Sequence, residues 1–152
     1  MIALLQRVSE ASVSVAGQTV ARIGPGLLVF LAVERGDGPA QCRRMVERIV
    51  GYRIFPDPAG RMNRSLEDSG GALLLVSQFT LAADTRKGSR PSFTPAAPPE
   101  TGRRLFEAVV AHARERIGDV QTGVFGAHMA VALVNDGPVT FELRVAPDSG
   151  AA

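Results

Sequence analysis

The sequence predicts one mixed α/β domain, a curved or barrel-like β-sheet with two α-helices packed on it. Three observations carry that reading. The runs Leu27–Val33 and Ala72–Phe79 are almost wholly apolar, as in strands buried on both faces. Two other stretches place their apolar residues at helical spacing. The order is strands, helix, strand, helix, strands, which suits a sheet covered by helices. At 152 residues the chain has the size of one domain. With 45% hydrophobic and 21% charged residues it lies outside the disordered range. Residues 1–145 are read as that domain and 146–152 as a disordered tail.

The elements follow in order. Ile2–Val8 and Ala11–Val15 are β-rich, Ala16-Gly17-Gln18 reads as a turn, and Thr19–Ile23 continues until the break Gly24-Pro25-Gly26. After Leu27–Val33, Gly38-Pro39 opens a helix with proline in its first turn. Met45, Val46, Ile49 and Val50 form its apolar face, Arg43, Arg44, Glu47 and Arg48 its polar one, and Gly51 stops it. Tyr52–Phe55 reads as extended and Pro56–Gly71 as a loop. The strand Ala72–Phe79 leads into a second loop, Ala82–Pro99, of a length that in compact domains is usually functional or disordered. Leu105, Phe106, Val109, Val110, Ala113 and Ile117 make Glu100–Ile117 an amphipathic helix. Val120–Phe125, Met129–Val134 and Val139–Val145 are the closing strands, with Asn135-Asp136-Gly137-Pro138 as a turn between the last two.

Composition excludes several functions. Cys42 is the single cysteine, so neither an internal disulfide nor a cysteine-built zinc site is possible, and it reads as a small buried residue. His112, inside a helix pattern, and His128, beside a strand, read as packing or surface residues, so no metal is expected. The N-terminus lacks the pattern of a signal peptide, and no apolar run is long enough to span a membrane, so a soluble cytoplasmic protein is expected. The net charge is only +2, and Lys87 is the one lysine among many arginines. That bias suits phosphate contact, but GC-rich coding produces it equally. There is no Gly-x-Ser-x-Gly elbow, no His-Glu-x-x-His and no phosphate-binding glycine loop. Ser77 and Thr80 at a strand end leave hydroxyl-based nucleophilic catalysis open, beside a plain structural role for both.

The segment Ser77-Gln78-Phe79-Thr80-Leu81-Ala82-Ala83-Asp84-Thr85-Arg86-Lys87-Gly88, with Arg90-Pro91-Ser92-Phe93 after it, resembles the signature of the D-aminoacyl-tRNA deacylase family. Leu133-Val134-Asn135-Asp136-Gly137-Pro138-Val139-Thr140 is similar to that family's glycine-proline signature. Shorter stretches agree in order, including Gln6-Arg7-Val8, Gly51-Tyr52-Arg53-Ile54-Phe55 and Gly60-Arg61-Met62-Asn63. Two departures are visible: His128 stands where the family usually has aspartate, and Arg64 where leucine is common.

The resemblance implies the D-aminoacyl-tRNA deacylase-like fold and an editing hydrolase that cleaves D-aminoacyl-tRNA and mischarged Gly-tRNA. No cofactor is implied, and the 2′-hydroxyl of the tRNA would help activate water. It further implies a homodimer whose cis Gly137-Pro138 unit enters the partner's pocket and rejects L-amino acids. Ser77, Gln78, Phe79 and Thr80 would line the opposite side, offering backbone amides and a hydroxyl to the ester. Phe79 would stack on adenine or else be a core residue. Arg86, Lys87 and Arg90 are candidate tRNA phosphate contacts or else a solvated loop. The partner implied is tRNA, with neither DNA nor membrane. A non-catalytic RNA 3′-end or nucleotide-binding module, and a small-molecule or peptide hydrolase using Thr80, are the competing readings.

Overall fold

The computed structural model describes residues 1–147, so the expected tail lies outside the described residues from position 148 onward. The strands are β1 (Ile2–Val15), β2 (Gln18–Ile23), β3 (Gly26–Ala32), β4 (Phe55–Pro56), β5 (Met62–Arg64), β6 (Ala72–Ser77), β7 (Val120–Thr122) and β8 (Ala130–Arg144). The helices are α1 (Pro39–Gly51), α2 (Leu66–Ser69) and α3 (Pro99–Arg114), with a 3-10 turn at Phe79–Ala82. The main sheet runs in the order β2-β1-β3-β6-β7, and β8 pairs with β1. Within it, β3, β6 and β7 are parallel to one another while β1 is antiparallel to β2, β3 and β8. The result is one mixed α/β domain with a nearly closed, barrel-like sheet.

Both faces of the central strands are buried, as the apolar runs predict. Leu27, Val29, Leu31, Leu73 and Leu75 face α1 and α3, where they meet Met45, Ile49, Leu105 and Val109. Leu28, Leu74 and Val76 point the other way, into a second cluster with Val8, Val13 and Ile23. That inner cluster exists because the long β1 turns the sheet over on itself, which brings β2 close to β6 and β7. Cys42 is fully buried in the helix-side core, and burial pushes its thiol above the ordinary range.

Helix α1 starts where proline and Gly38 predict. The Gly38 N–H donates to the buried Gln41 Oε1 at 2.8 Å, taking one of the donors that a helix start leaves open. Gln41 Nε2 in turn donates to the Ala146 carbonyl at 3.5 Å, which ties the last described residues to the domain.

Four details differ from expectation. The predicted strands Ile2–Val8 and Ala11–Val15 are one continuous β1. The loop Pro56–Gly71 contains the β4–β5 hairpin and the short α2, opened by a reciprocal Ser65/Asp68 capping pair. Strand β6 stops at Ser77, so Phe79 and Thr80 sit in a 3-10 turn and not in a strand. The last two predicted strands are a single β8, and Asn135–Pro138 is no hairpin turn. Gln6 pairs with Thr140 and Val8 with Asn135, so β1 stays paired on both sides while residues 136–139 are extruded as a wide bulge.

Candidate active site

The parallel strands β3 and β6 end side by side, with Leu31 opposite Ser77. In α/β folds ligands commonly bind outside the carboxyl ends of the strands. Here there is a cavity of about 610 Å³, a size suited to a small organic group. Its floor is Leu31, Val76 and Val131, one wall is the start of α3 with Pro98 and Gly102, and another is the loop Phe125–Met129.

Ser77, Gln78 and Phe79 all line this cavity. Phe79 is 59% exposed, which excludes the core role that its pattern allowed. Its ring meets that of Phe93 at 5.1 Å between centroids, edge to face. Thr80 does not line the cavity but is joined to it, because Gln78 Nε2 donates to Thr80 Oγ1. The Gln78 N–H donates to the Leu31 carbonyl at 2.8 Å, so that amide is committed to the fold. The opening N–H groups of a helical turn have no partner within the turn, and Phe79 and Thr80 occupy those positions.

Arg86, Lys87 and Arg90 do not line the cavity. They lie on an exposed excursion closed by mutual backbone hydrogen bonds between Asp84 and Ser92. Arg86 donates from Nε and Nη2 to the Asp84 carboxylate at 2.9 and 2.8 Å. Those bonds hold the pKa of the Asp84 carboxyl down to about 2. A depressed carboxyl keeps its partner above its ordinary range and loses it only as pH falls from about 4 towards 2. Arg86 is therefore held by Asp84 throughout the neutral range.

Gly137 and Pro138 are exposed at the tip of the β8 bulge, joined by a cis peptide bond. They do not reach the cavity of their own chain. The bulge is braced at its base. Asn135 Oδ1 accepts from the Val139 N–H at 3.1 Å, and Asn135 Nδ2 donates to Thr140 Oγ1 at 2.8 Å. Arg7 holds it from β1, donating to the Asp136 carbonyl at 3.2 Å and to the Ile54 carbonyl at 2.8 Å, with the Asp136 carboxylate at 3.3 Å. The ion pair itself contributes little because Asp136 is exposed. The charge-assisted bonds of the largely buried guanidinium matter more. Replacing Arg7 with methionine should cost about 1.5–3 kcal/mol, readable as a lower urea midpoint with unchanged slope. An unchanged midpoint would mean that the bulge needs no brace from β1.

Residues not singled out for this site also contribute. His128 lines the cavity, so its departure from the family pattern falls at the site and not on a neutral surface. Arg35, Phe93 and Phe125 line it as well. Phe93 belongs to the signature segment, but no local sequence signal marks Arg35 or Phe125, which elements distant in the chain bring to the cavity. Arg64, the other departure, is exposed and donates to the Asp68 carbonyl beside α2, away from the cavity. Among the described residues no group of three metal-ligating side chains converges. No helix there is long and apolar enough to cross a membrane.

A family profile described as D-Tyr-tRNA(Tyr) deacylase matches residues 4–144. The chain belongs to this deacylase family. Among its relatives, the D-aminoacyl-tRNA deacylase of Methylococcus capsulatus is 66% identical over 97% of both chains. That of Thioalkalivibrio sulfidiphilus is also 66% identical, over 97% of this chain and 99% of its own. A solved structure titled c-Myc DNA Unwinding Element Binding Protein superposes with a TM-score of 0.92 at 37% identity, covering 96% of this chain and 99% of that one. A second, titled as a probable eukaryotic D-amino acid tRNA deacylase, has a TM-score of 0.78 at 19% identity and shares the fold. On this deacylase the first signature string spans the cavity, through Ser77, Gln78, Phe79 and Phe93, and the exposed excursion with Arg86, Lys87 and Arg90, while the second forms the bulge.

Proposed function

We propose that the chain is an aminoacyl-tRNA editing hydrolase that cleaves the ester of D-aminoacyl-tRNA, and of mischarged Gly-tRNA, while sparing L-aminoacyl-tRNA. The observation that carries this is the cavity at the ends of β3 and β6, built around Ser77, Gln78 and Phe79 in a member of a deacylase family. Its apolar floor suits the terminal adenosine, and the exposed Phe79 suits stacking on the base. The ester carbonyl faces the N–H of Phe79, the first residue of the 3-10 turn and one that lines the cavity, and that donor stabilises the oxyanion as water attacks. The bond from the carbonyl carbon to the ribose 3′ oxygen then breaks, and the neighbouring 2′-hydroxyl relays a proton from water to that oxygen. Neither a metal nor a cofactor enters this scheme. Thr80 positions Gln78 and does not attack.

Gly137 and Pro138 act in trans. They are exposed, braced and remote from their own cavity, which suits a homodimer in which each bulge walls the partner's cavity. A backbone wall beside the α-carbon rejects an L side chain, admits a D side chain pointing outwards, and cannot reject glycine. Lys87 and Arg90, with Arg86 held by Asp84, would meet tRNA phosphates farther from the ester. The scheme needs a ribose 2′-hydroxyl, so RNA and not DNA is the partner, and the cytoplasm is where such a substrate is met.

A matched pair of substrates separates this mechanism from a Thr80 nucleophile. D-Tyr-tRNA ending in 2′-deoxyadenosine should resist hydrolysis. Thr80→Val should stay active on the natural substrate, losing about tenfold at most, as for one side-chain hydrogen bond. Full loss in Thr80→Val with the deoxy substrate still cleaved would reverse the assignment.

A further inference from the structure

We propose that Arg35 and Arg103 form a cationic rim over the cavity and grip the phosphates next to the terminal nucleoside of the tRNA. The proposal deepens the function above and rests on it, since it takes the cavity to receive the aminoacylated end. Arg35 and His128 are the ionisable side chains among the lining residues, and no carboxylate lines the cavity. Such a lining favours an anion at the mouth and an apolar group within.

Both arginines are held in place without being neutralised. Arg35 follows β3, and its Nε donates to the Thr94 carbonyl at 2.7 Å, while its backbone N–H donates to the Pro95 carbonyl at 3.0 Å. A guanidinium has five N–H donors, and that side-chain bond uses one. Arg103 follows Gly102 on α3, and its guanidinium carbon lies 4.8 Å from the centroid of the Phe125 ring, which is itself a wall of the cavity. Its Nη2 is the nearest atom to where a Cβ on the exposed Gly126 would stand, at 3.8 Å. Stacking on an aromatic face fixes the plane of a guanidinium and leaves its edge free for an anion, which an ammonium cannot reproduce. Glu100 and Glu107 share α3 with Arg103, and Glu34 adjoins Arg35. Among the described residues, neither arginine has a carboxylate within salt-bridge distance.

The partner chemistry follows from the combination. An aromatic platform, an apolar floor and a basic rim fit the end of a single-stranded polynucleotide, base inward and phosphates outward. Arg35 lines the cavity and Arg103 stacks on Phe125, which lines it, whereas Arg86, Lys87 and Arg90 lie on the excursion and do not line it.

The test compares wild type with Arg35→Gln, Arg103→Gln and Arg103→Lys on D-Tyr-tRNA over a range of KCl. D-tyrosyl-adenosine, which has no phosphate, is the parallel substrate, and thermal melts confirm that each variant is folded. Each glutamine variant should raise KM on tRNA about tenfold with kcat nearly kept, as for one charge-assisted hydrogen bond. The slope of log KM against log salt should fall by about 0.7 for each phosphate that is no longer neutralised. Arg103→Lys should fall between wild type and Arg103→Gln, and D-tyrosyl-adenosine should be cleaved by both Arg103 variants as by wild type, while Arg35→Gln, at a residue that lines the cavity, should lose less on D-tyrosyl-adenosine than on tRNA. Equal losses on both substrates would overturn the rim in favour of a structural role, as would unchanged KM and salt slope on tRNA. Wild type that cleaves neither substrate would overturn the underlying function, and the rim with it.

Discussion

Replacing Gly137 with alanine leaves the domain folded and lowers kcat/KM on D-aminoacyl-tRNA by about 100-fold, the loss that a displacement of about 1 Å at a reacting centre can cause. Gly137 has a φ of +134°, a conformation that L side chains rarely adopt. An added Cβ would lie 2.6 Å from Val139 Cγ2 and 2.9 Å from the Val139 nitrogen. The neighbouring backbone cannot give way by that much without moving the tip of the bulge. Because the tip is exposed and extruded from the β1–β8 ladder, the core does not register the change. A melt within a few degrees of wild type, together with a lost D/L preference, is the expected pair of results. Unchanged preference in a folded Gly137→Ala protein would remove the bulge from the mechanism.

Gly26→Ala has the opposite profile. Gly26 opens β3 opposite Ala72 in the parallel β3–β6 ladder, and an added Cβ would fall 1.9 Å from the Ala72 carbonyl oxygen. Both strands are central, and the Ala72 N–H is already bonded to the Pro25 carbonyl, so the only relief is to part the sheet. A cost above about 4 kcal/mol is expected, in the range reserved for broken core or backbone features. At about 2–4 °C per kcal/mol for a domain of this size, Tm should fall by about 10 °C or more, or the protein should fail to accumulate in soluble form. A melt near that of wild type would mean that β3 and β6 are not in this register.

The elements set by local chemistry were legible in the sequence. Pro39 and Gly51 bracket α1, and the alternating burial of Leu27–Leu31 and Leu73–Val76 was implied by runs with no polar face. The short α2 was legible in principle too, since Ser65 and Asp68 have the spacing of a capping pair. What local chemistry could not decide was direction. Asn135-Asp136-Gly137-Pro138 has the composition of a turn, and a hairpin and a bulge use the same residues. Only the pairing of β8 with β1 on both sides of it distinguishes the two, and that pairing is long-range. The cavity was half legible for the same reason. Ser77, Gln78 and Phe79 belong to one recognisable string, whereas Arg35, Phe125 and His128 are joined to them only by the ends of β3 and β6 and the start of α3. Arg86 shows the converse: its charge is visible in sequence, but its partner Asp84 decides how free that charge is.

The central claim is tested most directly by incubating purified protein, without added metal, with D-Tyr-tRNA and L-Tyr-tRNA side by side and following loss of each ester. Rapid loss of the D ester with the L ester intact is the predicted result. Equal loss of both would contradict selection by the Gly137-Pro138 wall, and loss of neither would contradict hydrolysis and leave a module that only binds the RNA end.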